Sequence, residues 1–418
     1  MPMVGVRTRE PVREQAEVLF NVPDDALPGD HPARLLWQVV GRLDLSSFVA
    51  NAKSLVGHRG RDTLSVQMLL TLWLYAIAEG IGSAREVERR IATDVAFRWI
   101  VGDQSVGRTK LAQFRVVHRE ALEKVFAEVL ASLTHKGLLS MNVVAQDGTR
   151  IRASASAPSF RRLASLENCL EQAKLHVKAV LTEGDDPEVS ERVRRAREAA
   201  ARDYEERVTE AIATVKQLAQ ERLEGRNRNK RPSEPRASTT DPEARVMKMG
   251  DGGFRPAYNI QLATAGSPMG GASTIVGLRV TNNGFDTGAL APMLDDIERR
   301  TGRLPSVLLA DAGHSDHASI REVAERGVTA LIPVPDRERG SQTSVDHAII
   351  AWRERMQTDE AKQAFRARAS LCELPNAHFK TRLGLGHLLV RGLSKVTCVV
   401  LLTALAANIL ANAAALAG

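Results

Sequence analysis

The spacing of apolar residues along the chain changes near residue 141. Residues 30–140 carry apolar runs separated by single glycines, the pattern of short packed helices. From residue 141 onward, short β-branched runs alternate with helical segments. The pattern predicts an all-helical domain over 1–140, an α/β domain over 141–395 and a closing apolar helix over 396–418.

Turn and capping residues divide the helical domain. An apolar helix over 63–78 ends at Gly80, Ser83 can cap the next helix, and a later helix runs as far as Leu133. Short helices with tight turns are compatible with a DNA-binding unit.

A basic stretch lies near the start of that later helix: Arg108, Lys110, Arg115, His118 and Arg119. It predicts a DNA-binding face that includes Arg108, Lys110 and Arg115. A solvated helix surface explains the same charges.

The second domain combines strands and helices. We predict strands at 142–147, 257–264, 274–281, 306–311 and 328–333, and helices at 286–301, 316–326 and 358–390, the last interrupted at Pro375. Three strands followed by alternating helices and strands predict an α/β fold with a mixed sheet flanked by helices.

A long insertion over 160–245 separates the first two strands. Apolar residues recur at spacings of three and four on both sides of a turn at 184–187, which predicts an antiparallel helical hairpin over 163–224. The basic segment 226–232 that follows is either a linker or a contact to a phosphate backbone.

Charge and cysteine content narrow the function class. The formal charge is +7 and the pI about 9.5, which favours a polyanionic partner. Three dispersed cysteines indicate neither a disulfide framework nor a Cys-x-x-Cys metal site. The N-terminus lacks the apolar core of a signal peptide, so we expect a cytoplasmic protein.

The closing segment 396–417 is nearly uncharged and about as long as a bilayer is thick. Asn408 and Asn412, one turn apart, place two amides on one face. Because amides are costly in lipid, we expect a buried packing helix and no membrane association.

Three separated acids are candidates for a metal-dependent phosphoryl-transfer site. Asp147 and Asp311 each end an apolar run and precede a turn with glycine, so both are predicted at the carboxyl edges of strands, where ligands bind in α/β sheets. Glu373 lies in a basic helical stretch with Lys380 two turns onward. Asp-Gly turns and a surface ion pair of Glu373 explain the same residues without a metal.

Other acids and histidines compete for a role. Asp241, Asp251 and Asp286 are further candidate carboxylates. A transition-metal site for Zn²⁺ or Mn²⁺, or simple capping groups, is suggested by His314, Asp316 and His317. A Walker-type loop is absent from the sequence, so ATP dependence is not indicated.

Short motifs in a fixed order connect these features: Gly60-Arg61-Asp62, Phe97-Arg98-Trp99, Phe114-Arg115, Asp147-Gly148-Thr149-Arg150-Ile151-Arg152-Ala153, Thr239-Thr240-Asp241-Pro242-Glu243-Ala244-Arg245, Gly253-Phe254-Arg255-Pro256-Ala257-Tyr258-Asn259 and Leu309-Ala310-Asp311-Ala312-Gly313. In this order the chain resembles the DDE transposases of bacterial insertion sequences, whose catalytic domain has an RNase H-like fold.

The signature around the third acid of that family is a Tyr, an Arg, the Glu and then a Lys after six intervening residues. Phe365, Arg368, Glu373 and Lys380 occupy these places. Phe365 replaces the Tyr, four residues instead of the common three separate Arg368 from Glu373, and His314 stands where the motif after the second Asp often has Tyr.

The resemblance implies that Asp147, Asp311 and Glu373 hold two Mg²⁺ ions, with Mn²⁺ as a substitute, and that Arg368 and Lys380 bind phosphate. It implies DNA cleavage and strand transfer at the ends of an insertion sequence, with element ends and target DNA as partners and a homo-oligomer on DNA. It also implies a bacterial protein associated with the nucleoid. A degenerate transposase that only binds DNA and a metal-dependent nuclease on the same fold are the alternatives.

Overall fold

The computed structural model describes residues 22–50, 63–102, 104–182, 190–224, 234–267, 273–336 and 346–417. Three features of the sequence lie outside the described residues: the Gly60-Arg61-Asp62 motif, the turn at 184–187 and the basic segment 226–232.

The N-terminal part is helical, which confirms the prediction. Its α-helices are α1 Pro32–Gly41, α2 Ser46–Val49, α3 Val66–Ala78, α4 Ala84–Thr93, α5 Val95–Val101, α6 Arg108–Val117 and α7 Arg119–His135. Nearly all of α3 is buried, and the indole N–H of Trp73 donates to the carbonyl of Leu111 in α6 at 3.1 Å. The single helix predicted through Leu133 is two helices, because the backbone of His118 leaves helical geometry.

A mixed sheet forms the centre of the second part. The strands are β1 Val143–Arg152, β2 Phe160–Arg161, β3 Ala237–Ser238, β4 Arg245–Lys248, β5 Phe254–Ala265, β6 Thr274–Thr281, β7 Val307–Leu309 and β8 Thr329–Leu331. Among the described residues, β2 and β3 form a separate pair, and the other strands form one sheet in the order β4–β5–β1–β7–β8, with β6 also on β5. β5 is antiparallel to β1, β4 and β6, whereas β1, β7 and β8 are parallel.

The remaining helices are α8 Leu163–Thr182, α9 Glu191–Glu224, α10 Leu290–Thr301, α11 His317–Glu325, α12 His347–Arg355, α13 Asp359–Arg368, α14 Leu374–Thr381, α15 Leu393–Ala411 and α16 Ala413–Ala417. α8 and α9 pack against each other as the predicted hairpin, and their contact encloses a small core of Leu166, Ala211 and Val215. The predictions did not include β2, β3 and β4, which are short and flank the insertion.

The two faces of the sheet are buried against different helices. Ala145 and Leu309 pack with Ala361 and Cys372 on the side of α13, whereas Val144 belongs to the main core shared with the N-terminal helices and α15. Successive residues of a strand point to opposite faces. Residues 145 and 147 therefore face the α13 side.

The helix predicted at 358–390 ends at Thr381, and its α-helical geometry is interrupted directly before Pro375, close to the predicted position. Between α13 and α14 the chain forms a π-helical turn, Ala369–Glu373. Pro375 falls in the first two positions of α14, directly after this turn. A proline ring clashes with a preceding carbonyl in a regular helix, and the wider turn provides room for it.

α15 is a buried helix that packs against β6, α3, α6 and α7. The amide of Asn408 pairs with strand β6: it accepts from the N–H of Ile275 and donates to the carbonyl of the same residue, both at 2.8 Å. By length and composition α15 could cross a membrane, although about two thirds of it is buried within the fold.

Candidate active site

Strand register places the two predicted aspartates side by side. Ala145 of β1 pairs with Leu309 of β7. Asp147 lies two residues after Ala145, and Asp311 lies two residues after Leu309. Parallel neighbours lie roughly 4.8 Å apart. Asp147 and Asp311 therefore leave the carboxyl end of the same parallel pair.

Asp147 does not end its strand, and that part of the prediction is wrong. β1 continues to Arg152 because residues 147–152 pair with β5, with Arg150 opposite Asn259. Asp147 thus lies where parallel pairing stops and antiparallel pairing continues. The longer antiparallel partner holds its backbone in place.

Three donors surround the Asp147 carboxylate. Its Oδ1 accepts from the N–H of Gly148 at 2.9 Å and lies 3.2 Å from Nη2 of Arg368, and its Oδ2 accepts from the amide of Asn376 at 3.2 Å. The side chain is 18% exposed. Burial raises the pKa of Asp147, against the charge of Arg368, and the nearby Asp311 raises it further.

Asp311 has a different environment. Its Oδ1 accepts from the N–H of Gly313 at 2.9 Å and lies 2.8 Å from Nδ1 of His314, which is fully buried. The hydrogen bond with His314 lowers the pKa of Asp311, and the charge of Arg368 acts in the same direction. Arg368 therefore acts on both aspartates.

Glu373 lies at the edge of this group. It ends the π turn that packs against β1 and β5, but its side chain is exposed, while the preceding Cys372 is buried toward the aspartates. Burial raises the pKa of Cys372 to about 12, with further contributions from Asp147, Asp311 and Glu373. Within the described ranges, no three His, Cys, Asp or Glu side chains form a group that could hold a metal ion. The structure thus brings two of the three predicted acids together.

Lys380 extends the site toward the helical domain. Burial lowers its pKa, against the attraction of Asp147. Together with Arg152 and His387 it lines a cavity of about 550 Å³, whose opposite wall includes the turn of Gly80 and Gly82. Lys380 and Arg152 therefore place two basic side chains in a cavity at the boundary with the N-terminal helices.

Two family models match the chain. One, described as a transposase domain (DUF772), matches residues 21–116, and the other, described as a transposase DDE domain, matches residues 228–409. The chain belongs to the DDE transposases. The DDE domain implies an RNase H-like fold, which confirms the predicted fold class, and Asp147 lies between the two matched segments. Neither a curated protein nor a solved structure matches the chain significantly.

The predicted DNA-binding face of the transposase needs one correction. Arg108 and Lys110 are exposed at the start of α6. Arg115 is buried: it donates to the carbonyl of Gly82, and its guanidinium lies 5.0 Å from the centre of the Trp73 ring. Burial lowers the pKa of Arg115 to about 10. It supports the helical domain from within and is not available to DNA.

The transition-metal site suggested by the histidines is also wrong. His314 contacts Asp311, Asp316 caps α11 by accepting from the N–H of Ser319 at 2.9 Å, and His317 stacks edge-on against Trp352. The three side chains face different partners.

Asp286 joins the site of the transposase, and sequence reasoning had named it only as a competing acid. Its Oδ1 accepts from the amides of Asn259 at 2.9 Å and Gln261 at 2.6 Å, and its Oδ2 lies 3.9 Å from Arg150. A Cβ added at Gly148 would overlap Gln261 and Asp286. The sequence signal for this close approach of Asp286 was Gly148, because the space next to its backbone leaves no room for a side chain.

The other two competing acids lie elsewhere. Asp241 is buried and accepts from the hydroxyl of Tyr258 at 2.8 Å and the N–H of Gly392 at 3.3 Å, so it ties the insertion to the start of α15. Asp251 is exposed in the turn between β4 and β5, where it pairs with Arg255.

Two features of the oxygen atoms around Asp147 suit a hard divalent cation. Two carboxylates lie close enough for Asp311 to raise the pKa of Asp147, and such repulsion is what a cation relieves. The buried Oδ1 of Asn376, beside Asp147, has no hydrogen-bond partner among the described residues. Oxygen atoms of this kind are the ligands that Mg²⁺ prefers.

Proposed function

We propose that this transposase catalyses metal-dependent DNA strand cleavage and strand transfer at the ends of an insertion sequence. The observation that carries the proposal is the closeness of Asp147 and Asp311, each two residues beyond the same parallel strand pair, with the charge of Arg368 acting on both. Phosphoryl transfer needs this combination of charge neutralisation and positioning.

Asp147, Asp311 and Glu373 would hold Mg²⁺, for which Mn²⁺ can substitute. When bound, the metal pair supplies activation of a water or 3′-hydroxyl and stabilisation of the leaving oxygen. The protein's own residues position these ligands: Asn376 and the Gly148 N–H hold Asp147, and His314 and the Gly313 N–H hold Asp311.

The π turn supports Glu373 as the third acid. The interval between Arg368 and Glu373 is one residue longer than the family spacing, and the π turn falls within that interval. A π turn closes after one more residue than an α turn, so it takes up an inserted residue with little rotation of the helix beyond it. Glu373 then keeps its relation to Arg368, at the rim of the aspartate pair.

Arg368 and Lys380 would bind the phosphates next to the metal, Arg368 through its planar fork and Lys380 as a point charge. The cavity shared by Lys380 and Arg152 places basic charge at the boundary with the helical domain. Arg108 and Lys110 would add contacts outside the catalytic domain. Because phosphate contacts release counterions, DNA affinity should fall steeply with salt.

The partners would be the element ends and the target DNA, bound by a homo-oligomer of the transposase in the cytoplasm and nucleoid. A degenerate transposase would bind these DNAs without cutting them, and a nuclease would cut without joining. Incubation of the purified protein with its element's end and a target plasmid distinguishes the three. Mg²⁺-dependent joined products support the proposal, whereas cleavage without joining favours the nuclease and binding alone favours the degenerate protein.

A further inference from the structure

Buried amide side chains lie on the face of the sheet opposite Asp147. Gln146 and Gly148 flank Asp147 on β1. Gly148 pairs with Gln261 of β5, and Asn259 lies two residues before Gln261. Because successive residues of a strand point to opposite faces, these residues share the face away from Asp147. Gln146 is fully buried, and Gln261 and Asn259 are 1% exposed. Burying an amide costs stability unless it is hydrogen-bonded, and an apolar side chain would fill the same space without that cost.

A backbone carbonyl fixes the orientation of these amides. Nε2 of Gln146 donates to the carbonyl of Ala289 and to Oε1 of Gln261, both at 3.1 Å. A carbonyl oxygen only accepts, so the nitrogen of Gln146 must face Ala289. Gln261 therefore turns its oxygen toward Gln146 and its nitrogen toward Asp286, whose Oδ1 accepts at 2.6 Å. Gln146 and Asp286 thus hold the two ends of the Gln261 amide.

Gln261 is connected to the aspartate pair through His314. Its Oε1 lies 3.4 Å from Nε2 of His314, and Nδ1 of the same ring lies 2.8 Å from Oδ1 of Asp311. His314 is fully buried. Both nitrogens of the ring therefore face an oxygen, one of Gln261 and one of Asp311. A chain of contacts runs from Asp286 through Gln261 and His314 to Asp311.

Two glycines leave room for this chain of contacts. A Cβ added at Gly148 would lie 2.3 Å from Nε2 of Gln261 and 2.4 Å from Oδ1 of Asp286. A Cβ added at Gly313 would lie 3.0 Å from Oδ1 of Asp311 and 3.6 Å from Oδ2 of Asp286. Each glycine lies within two residues of a candidate metal ligand. The backbone next to the two ligands therefore admits the side chains that support them.

We propose that Gln261 and Asp286 are positioning residues: Asp286 fixes the Gln261 amide, and Gln261 fixes the imidazole that orients Asp311 as a metal ligand. The inference rests on the proposed function, because it concerns metal binding at the same site. Gln261 leaves the sheet on the face away from Asp147, so it acts through His314 and is not itself a ligand. Groups that orient a metal ligand typically change metal affinity or activity about 10–100-fold when they are lost.

Mn²⁺ binding by the full chain, followed by the electron paramagnetic resonance signal of the free ion, tests the proposal without cleavage as the readout. Gln261→Leu should weaken Mn²⁺ binding about tenfold. Asn259→Leu is the matched control. Asn259 is equally buried and also donates to Asp286, at 2.9 Å, but within the described part of the chain it forms no hydrogen bond with His314. Asp286→Ala should weaken Mn²⁺ binding as Gln261→Leu does, whereas Asp286→Asn should retain it, because an amide oxygen still accepts from Gln261.

The Mn²⁺ dependence of cleavage gives the same comparison on DNA that carries the element's end. Gln261→Leu should need about tenfold more Mn²⁺ for half-maximal cleavage and should reach the wild-type rate at saturating Mn²⁺. Asn259→Leu should show the wild-type Mn²⁺ dependence even where its melting temperature falls as far as that of Gln261→Leu. This difference separates a positioning role from a purely structural one. Asp286→Ala tests the same chain of contacts if Gln261→Leu does not fold.

Wild-type Mn²⁺ affinity in Gln261→Leu overturns the proposal, and so does an equal loss in Gln261→Leu and Asn259→Leu. A loss in Asp286→Asn as large as in Asp286→Ala overturns the role given to Asp286, since it would indicate a direct ligand. If the wild type neither binds Mn²⁺ nor cleaves, the proposed function fails together with this inference. If Asp147→Asn abolishes cleavage while Gln261→Leu behaves as the wild type, only this inference fails.

Discussion

Arg368 Nη2 lies 3.2 Å from Oδ1 of Asp147, and both side chains are more than four-fifths buried. The pair joins the end of α13 to the middle of β1 across the candidate site. The guanidinium occupies the neighbourhood of the carboxylate oxygens that a divalent cation would need. Under the proposed function, a metal ion bound at Asp147 would free the fork of Arg368 for a phosphate oxygen.

Replacement of Arg368 should therefore affect both binding and chemistry. We expect Arg368→Ala to lower DNA affinity and Mg²⁺-dependent cleavage together, because it removes a phosphate contact next to the metal ligands. Arg366→Ala is the control: it removes the same charge from an exposed position of α13. DNA binding and cleavage are measured in parallel for both variants. Equal losses in Arg368→Ala and Arg366→Ala would contradict the prediction.

The two aspartates should have opposite effects on stability. The pKa of Asp147 is raised from 3.8, so its ionised form costs stability at neutral pH, and Asp147→Asn should raise the melting temperature. The pKa of Asp311 is lowered, so its ionised form contributes stability, and Asp311→Asn should lower the melting temperature.

The pH dependence of these differences follows from the sign of each shift. The contribution of Asp311 is complete above its ordinary pKa of 3.8 and is lost as pH falls through the lowered value. The cost from Asp147 disappears once pH falls below 3.8. Melting curves of both variants from neutral to acidic pH measure this, and shifts of the same sign at neutral pH would contradict it.

Gly148 should tolerate no side chain. Gly148→Ala places a Cβ among Gln261, Asp286 and Asn259, whose hydrogen bonds hold them in place. Overpacking of this kind costs about 1–3 kcal/mol. Gly250→Ala is the control, since a Cβ there meets nothing within 4 Å. Denaturant titration of both variants gives the comparison, and equal midpoints would refute the account of Gly148.

The π turn supplies a prediction about spacing. Deletion of Ser370, an exposed residue of the turn, should convert the π turn to an α turn and leave cleavage largely intact, because Arg368 and Glu373 then have the family spacing. An alanine inserted after Ala377, in the regular helix α14, should abolish cleavage, since it rotates Glu373 relative to Lys380 by about 100°. The interpretation fails if the deletion is as harmful as the insertion.

Much of the fold could be predicted because local patterns of apolar residues determine its strands and helices. The order of β1, β5, β6, β7 and β8 follows from β-branched runs, and the hairpin of α8 and α9 follows from apolar spacing. The length of β1 could not be predicted in this way. Residues 148–152 are polar apart from Ile151 and begin with the glycine of an Asp-Gly turn signal, and the long antiparallel partner β5 keeps them extended.

Site residues could be predicted where an acidic residue follows an apolar run of a strand. They could not be predicted where packing against distant elements determines the role of a side chain. Asp147 and Asp311 follow apolar runs and do come together. Arg115 looks like a surface cation, but its burial depends on the Trp73 ring and the Gly82 carbonyl, contributed by other helices. The role of Asp286 depends in the same way on amides from β5, which no local pattern reveals.

The central claim is that Asp147 is a metal ligand of a DNA-cutting site, and Asp147→Asn tests it most directly. Asn keeps the size of the side chain and one oxygen but loses the charge that a hard divalent ion requires. Cleavage of DNA carrying the element's end, measured with Mg²⁺ beside DNA binding at one salt concentration, should be abolished in this variant while binding stays near that of the wild type. Cleavage by purified Asp147→Asn at the wild-type rate would contradict the account.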